Sequence, residues 1–220
     1  MKKPSASDAV AASALPDEVK LYLAAALRRR LPFSLRPALK KDPRGVSAAA
    51  ARLVAGAAAA LGCSAAEALF ATGFDPANMA PHRLEAALAE LAAVLLLREE
   101  GFSGLELIRP NSGRTADISA EKGGLRWAFE VRSLQAGLAT SAALLAGKFR
   151  AKLPQAKNAV KKYGFDRAAV ILVREPWVEG LAQDPGLAAL AAAACAAEVK
   201  KPAAHVCLLD RGRFGVHPSW

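Results

Sequence analysis

Three short strand-like segments lie close together between residues 105 and 132, and they constrain the fold more than any other part of the chain. The first, 105–109, is followed by the turn-forming residues Pro110-Asn111-Ser112-Gly113. The second, 115–120, is joined to the third, 125–132, by Lys122-Gly123-Gly124, where glycines accept the positive φ of a hairpin turn. The third is rich in aromatic and β-branched residues. These features predict three strands joined by tight turns.

Two carboxylates, Asp117 and Glu130, lie inside these segments, where acidic residues are uncommon. Because side chains alternate along a strand, Trp127 and Phe129 share one face while Glu130 and Arg132 share the other. Pairing of the second and third strands could place Asp117 beside Glu130. Two adjacent carboxylates repel and need a proton or a cation to be tolerated. Carboxylate oxygens at this density suit Mg²⁺, which takes one or two carboxylates together with water and substrate phosphate.

The sequence from residue 81 onward alternates between helical and strand-like patterns. An apolar stripe over 81–100 predicts a buried helix ahead of the three strands, and 134–147 is expected to be a loop. The later segments predict a helix over 148–163, a strand over 168–174, a helix over 185–199, a strand over 205–210 and a hairpin partner over 213–216. The expected fold class is therefore α/β, a mixed central sheet flanked by helices, with an N-terminal all-helical region.

Ala116-Asp117, a short hairpin and then Glu130-Val131-Arg132, within an αβββαβ order of elements, resemble the PD-(D/E)XK (restriction-endonuclease-like) nuclease superfamily. The resemblance covers about 81–210. It implies a Mg²⁺ (or Mn²⁺) site held by Asp117, Glu130 and the carbonyl of Val131. It also implies that an acid on the first core helix completes the site through water, with Glu90 the best match and Glu85 the fallback.

The family places a lysine two residues after the glutamate, where this chain has Arg132. An arginine stabilises charge but cannot accept a proton. Three alternatives follow: Arg132 does only electrostatic work, Lys148 or Lys152 of the next helix takes the lysine role, or the site is weakened or inactive. The expected catalytic set is thus Asp117, Glu130, Arg132, Glu90 and Lys152.

The net charge of +10 favours a polyanionic partner. The helix predicted over 148–163 has no acidic residue from 148 to 162 and is the expected nucleic-acid surface. Its predicted contacts are Lys148, Arg150, Lys152, Gln155, Lys157, Lys161 and Lys162.

The function expected from these features is metal-dependent hydrolysis of phosphodiester bonds in nucleic acid, with DNA the preferred substrate. The first alternative is a non-catalytic nucleic-acid-binding or assembly subunit with a degenerate site. The second is a purely structural role, in which Asp117 and Glu130 form ion pairs with Arg132 and Arg114.

The chain ahead of residue 81 is predicted to be a disordered tail over 1–14 followed by a helical accessory region over 15–80, with the nuclease-like domain over 81–220. Helices are expected from Pro16 to Arg30, over 47–61 and over 64–72, the last opened by a capping box at Ser64 and Glu67. The segment 32–44, with three prolines, is expected to be irregular. A helix-turn-helix is disfavoured because 65–72 lacks Arg, Lys, Asn and Gln to contact bases.

Cys63, Cys195 and Cys207 show neither metal-ligand spacing nor a disulfide framework, and they are expected to be small apolar residues in a reducing compartment. No run of bulky apolar residues is long enough to span a bilayer, and the N-terminus lacks the apolar core of a signal peptide. A cytoplasmic location and no membrane partner are therefore expected, while the oligomeric state stays open.

Overall fold

The computed structural model describes residues 5–29, 35–80, 82–108, 116–134, 141–178, 180–196 and 204–220, and over these it is a mixed α/β protein. The helices are α1 (Ala6–Ala11), α2 (Asp17–Arg28), α3 (Leu35–Lys41), α4 (Pro43–Leu61), α5 (Ala65–Ala71), α6 (Arg83–Glu99), α7 (Ala142–Tyr163) and α8 (Pro185–Ala196). The strands are β1 (Ser103–Leu107), β2 (Ile118–Lys122), β3 (Leu125–Ser133), β4 (Arg167–Glu175), β5 (Ala182–Gln183), β6 (His205–Asp210) and β7 (Arg213–His217).

The N-terminal segment differs from the disordered tail predicted over 1–14. Ser5 and Asp8 form a capping box at the start of α1, in which each side chain accepts a hydrogen bond from the backbone N–H of the other. Val10 is buried and belongs to the main hydrophobic cluster. Capping and burial of one apolar side chain hold a short helix here, in spite of its small and polar composition. Residues 1–4 lie outside the described residues.

The segment 32–44, expected to be irregular, contains α3 and the start of α4, with 32–34 outside the described residues. Pro43 is the first residue of α4, a position where the missing N–H has no intrahelical partner to lose. The Asp42 carboxylate accepts the Gly45 N–H at 3.0 Å and caps the helix. Prolines at helix starts therefore explain why the proline-rich segment is helical. As predicted, α4 ends at Leu61, and Gly62 follows it with φ of 67°.

Among the described helices, α4 is the single one long and apolar enough, by length and composition, to cross a membrane. It contains many alanines, and its buried residues recur at helical spacing, including Ala50, Leu53, Val54 and Ala57. They belong to the hydrophobic cluster that also contains α6. One such helix is weak evidence for a membrane segment, because the core helix of a soluble protein passes the same test.

The sheet has the order β1-β2-β3-β4-β6-β7-β5. The first three strands form an antiparallel meander, as the hairpin signals predicted. β4 and β6 then add in parallel to β3, and β7 turns back antiparallel to β6. The helix–three strands–helix–strand–helix–strand order expected from the sequence is observed, with one addition: the short strand β5, which was not predicted, lies between β4 and α8 and pairs in parallel with β7. β3 lies inside the sheet, with an antiparallel neighbour on one edge and a parallel neighbour on the other.

Two boundaries near the acidic residues differ from the prediction. β2 begins at Ile118 rather than at residue 115, so Asp117 precedes the strand. α7 begins at Ala142 rather than at 148, because the Ser141 hydroxyl accepts the Leu144 N–H at 3.2 Å and caps it. Part of the expected loop over 134–147 is therefore helical, and 135–140 lies outside the described residues. Pro154 lies within α7, where it cannot donate to the helical ladder.

The two faces of the sheet are covered by different helices. Trp127 and Phe129 belong to the hydrophobic cluster that includes α6 and the N-terminal helices. On the other face, Val170 and Leu172 of β4 pack with residues of α7 and α8. The predicted alternation along the third strand is therefore observed. The first cluster also runs across residue 80, so the helical region and the sheet share one hydrophobic core.

Candidate active site

Asp117 and Glu130 lie next to each other at one end of β2 and β3. Ile118 pairs with Phe129 in the antiparallel register, and the Asp117 N–H continues the ladder by donating to the Phe129 carbonyl at 2.9 Å. Asp117 therefore stands opposite Glu130 across the two strands, and directly opposed residues point to the same face. Strand pairing thus brings the two acids together as the sequence predicted.

Lys152 of α7 contacts both acids. Its Nζ donates to Glu130 Oε2 at 2.9 Å and lies 4.0 Å from Asp117 Oδ2. The Glu130 side chain is 0% exposed, whereas those of Lys152 and Asp117 are 18% and 28% exposed. The second oxygen of Glu130, Oε1, is buried without a hydrogen-bond partner among the described residues. Glu130 therefore has one paired oxygen and one buried oxygen whose acceptor capacity is unused.

The backbone of β3 fixes the orientation of Asp117. The Val131 N–H donates to Asp117 Oδ2 at 2.7 Å, a charge-assisted hydrogen bond that favours the ionised acid. Val131 was predicted to contribute its carbonyl to a metal site. The contribution that the structure shows is the donation from its N–H, together with a position on the wall of the cleft described below.

Glu90, rather than Glu85, is the acid of α6 that lies at this site. The two residues are five positions apart, which is about 140° around a helix, so they face different sides. Glu85 is buried, and its Oε1 lies 3.7 Å from His82 Nδ1. Glu90 lines the same cleft as Asp117 and Lys152. The structure thus separates the best match from the fallback.

Burial and mutual repulsion shift the acids toward their protonated forms. Burial, and after it the charge of Asp117, raise the pKa of Glu130 from 4.5 to about 7, against the opposing effect of Lys152. Burial also raises the pKa of Asp117, against Lys152 and the Val131 N–H, which lower it. Burial and the charge of Asp117 raise the pKa of Glu90 well above its usual value. Lys152 and, at Glu90, the charge of Arg83 thus offset only part of the repulsion among three carboxyl groups, and such acids gain from an additional cation.

Asp117, Glu130, Glu90 and Lys152 form what we call the acid–lysine cluster. Arg132, the residue at the family's lysine position, is not part of it. Its side chain is exposed and lines the cleft, and it forms no ion pair within the described part of the chain. The acids are instead paired with Lys152, so the structural alternative in which Arg132 neutralises them is wrong for this residue. Arg114, its other proposed partner, lies outside the described residues.

The cluster opens into a cleft of about 390 Å³ between the start of α6 and the end of β3. Of the residues expected at the site, it is lined by Glu90, Asp117, Val131, Arg132 and Lys152, while Glu130 lies buried behind this surface. The sequence reasoning missed the other lining residues, His82, Arg83, Ala86, Ser133 and Leu134.

One sequence signal, helical spacing, could have identified part of that missed set. Arg83, Ala86 and Glu90 are three and four residues apart, a spacing that places them on one face of a helix. His82 was not recognisable from its sequence context, but the structure gives it a φ of 63°. This left-handed conformation is uncommon for a residue with a Cβ and is concentrated at functional sites.

The α7 residues that were predicted to bind nucleic acid do not all face solvent. Lys152 points into the acid–lysine cluster. Arg150, Lys161 and Lys162 are exposed, and Lys148, Gln155 and Lys157 are half-buried. Arg150, Lys157 and Lys161 also border a shallow groove of about 450 Å³ on the outer side of α7. Only part of the predicted basic surface is therefore directed to solvent.

A larger cavity of about 900 Å³ lies at the other end of β3 and does not coincide with the acids. Its walls are mostly apolar and include Trp127, His205 and Trp220. Its one carboxylate, Asp166, already accepts the Arg126 N–H at 2.8 Å. Volume alone would select this cavity, but the smaller cleft holds the convergent titratable groups that mark a functional site.

Within the described ranges, no group of three or more His, Cys, Asp or Glu side chains is arranged to hold a metal ion. No family model matches this sequence, and neither a curated protein nor a solved structure matches it. The chemistry of the cleft is therefore argued from its own residues.

Proposed function

We propose that this protein is a metal-dependent nuclease that hydrolyses phosphodiester bonds of nucleic acid, with DNA as the expected substrate. The observation that carries the proposal is the position of Lys152. The strand has an arginine where the PD-(D/E)XK pattern has a lysine, and α7 brings a lysine to within 2.9 Å of Glu130 and 4.0 Å of Asp117. The acids and the lysine of that pattern are thus all present in one cluster.

The donor set fits Mg²⁺ or Mn²⁺. Mg²⁺ is commonly bound by one or two carboxylates, with water and substrate phosphate as its remaining ligands, so three protein side chains are not required. Asp117 and Glu130 would hold the ion, and the unused Oε1 of Glu130 is an oxygen available for it. Val131 is expected to add its carbonyl. A bound ion would supply Lewis-acid polarisation of a phosphoryl oxygen and a lower pKa for bound water.

The side chains of the cleft have separable roles in this proposal. The Lys152 ammonium brings positive charge to the acids and would stabilise negative charge that develops on the phosphate. The Val131 N–H keeps the Asp117 carboxylate oriented. Glu90, whose raised pKa makes it easier to protonate than an exposed acid, can exchange a proton with water in the cleft.

The exposed cations of α7 support nucleic acid as the partner. The protein has a formal net charge of +10, and Arg150, Lys161 and Lys162 are exposed on the helix that also carries Lys152. Cations on this surface would bind phosphates of the strand outside the cleft and release counterions, which makes affinity depend on salt.

A second candidate function is a non-catalytic nucleic-acid-binding or assembly subunit. Two observations favour it: Arg132 replaces the strand lysine, and no preformed set of three metal-ligating side chains is found in the described residues. In that case the cleft and the basic helix would bind nucleic acid without hydrolysing it.

Calorimetric titration with Mn²⁺ tests the metal site directly. Asp117→Asn keeps an oxygen that can accept the Val131 N–H but removes the charge, so Mn²⁺ binding should be lost or weakened at least about 10-fold. Asp17→Asn, at an exposed residue of α2, is the matched control and should bind like the natural protein. Equal affinity in Asp117→Asn and the natural protein would show that the metal assignment is wrong.

Cleavage of labelled single-stranded and duplex DNA and RNA in Mg²⁺ and Mn²⁺ separates the two candidate functions. The nuclease proposal expects cleavage that Asp117→Asn abolishes. Binding of the oligonucleotides without cleavage in either metal would instead support the non-catalytic subunit.

A further inference from the structure

The first turns of α6 present a polar face to the cleft. Arg83, Ala86 and Glu90 all line it, whereas the next positions on that face, Ala93 and Leu97, are fully buried in the core. The face therefore changes from apolar to polar where it reaches the acid–lysine cluster. Arg83 is the first residue of α6, at the positive end of the helix dipole, where a cation is not favoured by the helix itself.

Arg83 and Arg132 are exposed guanidinium groups without ion pairs in the described ranges, although three acids lie in or behind the same cleft. Two arginines near the ends of other strands behave differently. Arg174 pairs with Asp210, and Arg211 pairs with Glu175 through two hydrogen bonds of 2.6 and 2.7 Å. Arg174 and Arg211 are thus neutralised by acids, whereas Arg83 and Arg132 stay available around the acid–lysine cluster.

We propose that Arg83 is a phosphate-anchoring residue, which together with Arg132 binds the substrate phosphate held in this cleft. The inference rests on the proposed function and adds to it a binding residue that the family pattern does not supply. Cations around the mouth of the cleft complement a phosphodiester, while the acids deeper inside would repel it without them. A guanidinium offers several N–H donors in a planar fork that matches two phosphate oxygens. Replacing it therefore removes hydrogen bonds as well as a positive charge.

Ala86, between Arg83 and Glu90, keeps the cleft open. Its exposed side chain is the smallest that a helix can carry without the flexibility of glycine. Ala86→Leu keeps high helix propensity and adds three carbons at the cleft wall. The phosphate would then be excluded by volume, with the charges of the cleft unchanged.

The test measures binding of a fluorescent oligonucleotide in EDTA over a range of salt concentrations. Arg83→Ala should raise Kd about 10-fold, as expected for one hydrogen bond to a charged group. It should also reduce the slope of log Kd against log salt by about 0.7–0.9, the value for one lost phosphate contact. Arg98→Ala, at an exposed arginine near the other end of α6, is the matched control and should change neither quantity.

Steady-state kinetics of oligonucleotide cleavage give a second readout. Arg83→Ala should raise KM about 10-fold, and Arg83→Lys should restore only part of the affinity because it provides charge without the planar fork. Ala86→Leu should raise KM and reduce the salt slope as Arg83→Ala does, because the excluded phosphate no longer reaches the guanidinium. A Kd and salt slope for Arg83→Ala equal to those of Arg98→Ala would overturn the inference.

The outcomes for Arg83 and for the nuclease proposal are distinguishable. Salt-dependent binding that requires Arg83, with no cleavage in any metal, would support the anchor and contradict the nuclease. Cleavage that requires Asp117 but not Arg83 would overturn the anchor alone. Absence of any binding to DNA or RNA by the natural protein would overturn both.

Discussion

The two halves of β3 have opposite chemistry. In the first half, Trp127 and Phe129 contact Phe102 and Trp220, with ring centroids 5.3–6.1 Å apart. The next residue, Glu130, is just as buried, but it has an unpartnered oxygen and a pKa raised to about 7. The first half is packed with aromatic rings, and its buried Trp127 Nε1–H has no hydrogen-bond partner among the described residues, whereas the second half buries an acid, which costs far more free energy when it is charged. A buried acid with an unpartnered oxygen, close to two further acids and a lysine, is the kind of violation expected at a functional site.

Phe129→Ala should have the largest effect, and it should act on stability. Phe129 is fully buried, and removing a buried phenylalanine ring costs about 3–5 kcal/mol of unfolding free energy. Urea unfolding measures this loss, with Phe70→Ala as the control because Phe70 is 61% exposed. If Phe129→Ala lowers the free energy of unfolding no more than Phe70→Ala does, the aromatic packing of the first half of β3 does not stabilise the fold.

Lys152→Ala should act on the chemistry of the other half. Removing the one lysine that contacts both acids should lower cleavage at least about 100-fold, the low end for a group that assists charge or proton transfer. The protein should remain folded, because Glu130 can take up a proton in place of its ion pair. Lys40→Ala, at an exposed residue of α3, should cleave like the natural protein.

Lys152→Arg separates the two roles that a lysine can have. An arginine keeps the positive charge but cannot accept a proton. Cleavage retained in Lys152→Arg would assign an electrostatic role, and cleavage lost would assign proton transfer. Natural levels of cleavage in Lys152→Ala would contradict the assignment of Lys152 and leave Arg132 as the cation of the site.

The order of the elements and the meeting of two acids could be predicted, because both depend on local periodicity. Glycines at the 123–124 turn and alternation along 125–132 are sufficient to place Asp117 opposite Glu130. The sequence could not choose between Lys148 and Lys152, because residues four apart share one face of a helix. That choice depends on where α7 lies along the sheet, which packing of its buried residues such as Phe149 and Leu153 determines.

Short elements and the cleft walls were harder to predict. α1 and α3 are held by a cap or by burial of one or two side chains, and neither leaves a strong period in the sequence. Arg83 lies more than thirty residues ahead of Asp117, and the two residues line the same cleft only because α6 packs on the sheet. Contacts between distant segments are a property of the assembled core, so a single sequence without its fold gives them little signal.

Glu130→Gln should produce the smallest change, a change in the free energy of unfolding. Whether the variant is more or less stable than the natural protein tests the comparison between the two halves of β3. The folded-state pKa of Glu130 is raised from 4.5 to about 7, so the fold favours the protonated acid. Its contribution to stability is fully present below pH 4.5 and is lost as the pH rises through 7. The interval between these two pKa values corresponds to a loss of at most about 3 kcal/mol in the free energy of unfolding. Glutamine resembles the protonated acid and does not titrate, so the variant escapes this loss.

At pH 8 we expect Glu130→Gln to unfold with about 1–3 kcal/mol more free energy than the natural protein, because the pKa of about 7 already includes the attraction of Lys152 and the interval between the two pKa values sets the upper bound. At pH 4.5 the two proteins should be equally stable, and the variant should not cleave at either pH. Urea unfolding at both values measures the difference, with Glu106→Gln at an exposed residue of β1 as the control. A variant that is less stable than the natural protein at pH 8 would show that the Glu130–Lys152 pair stabilises the fold. The second half of β3 would then be structural like the first, and the cleft would lose the main physical argument for its function.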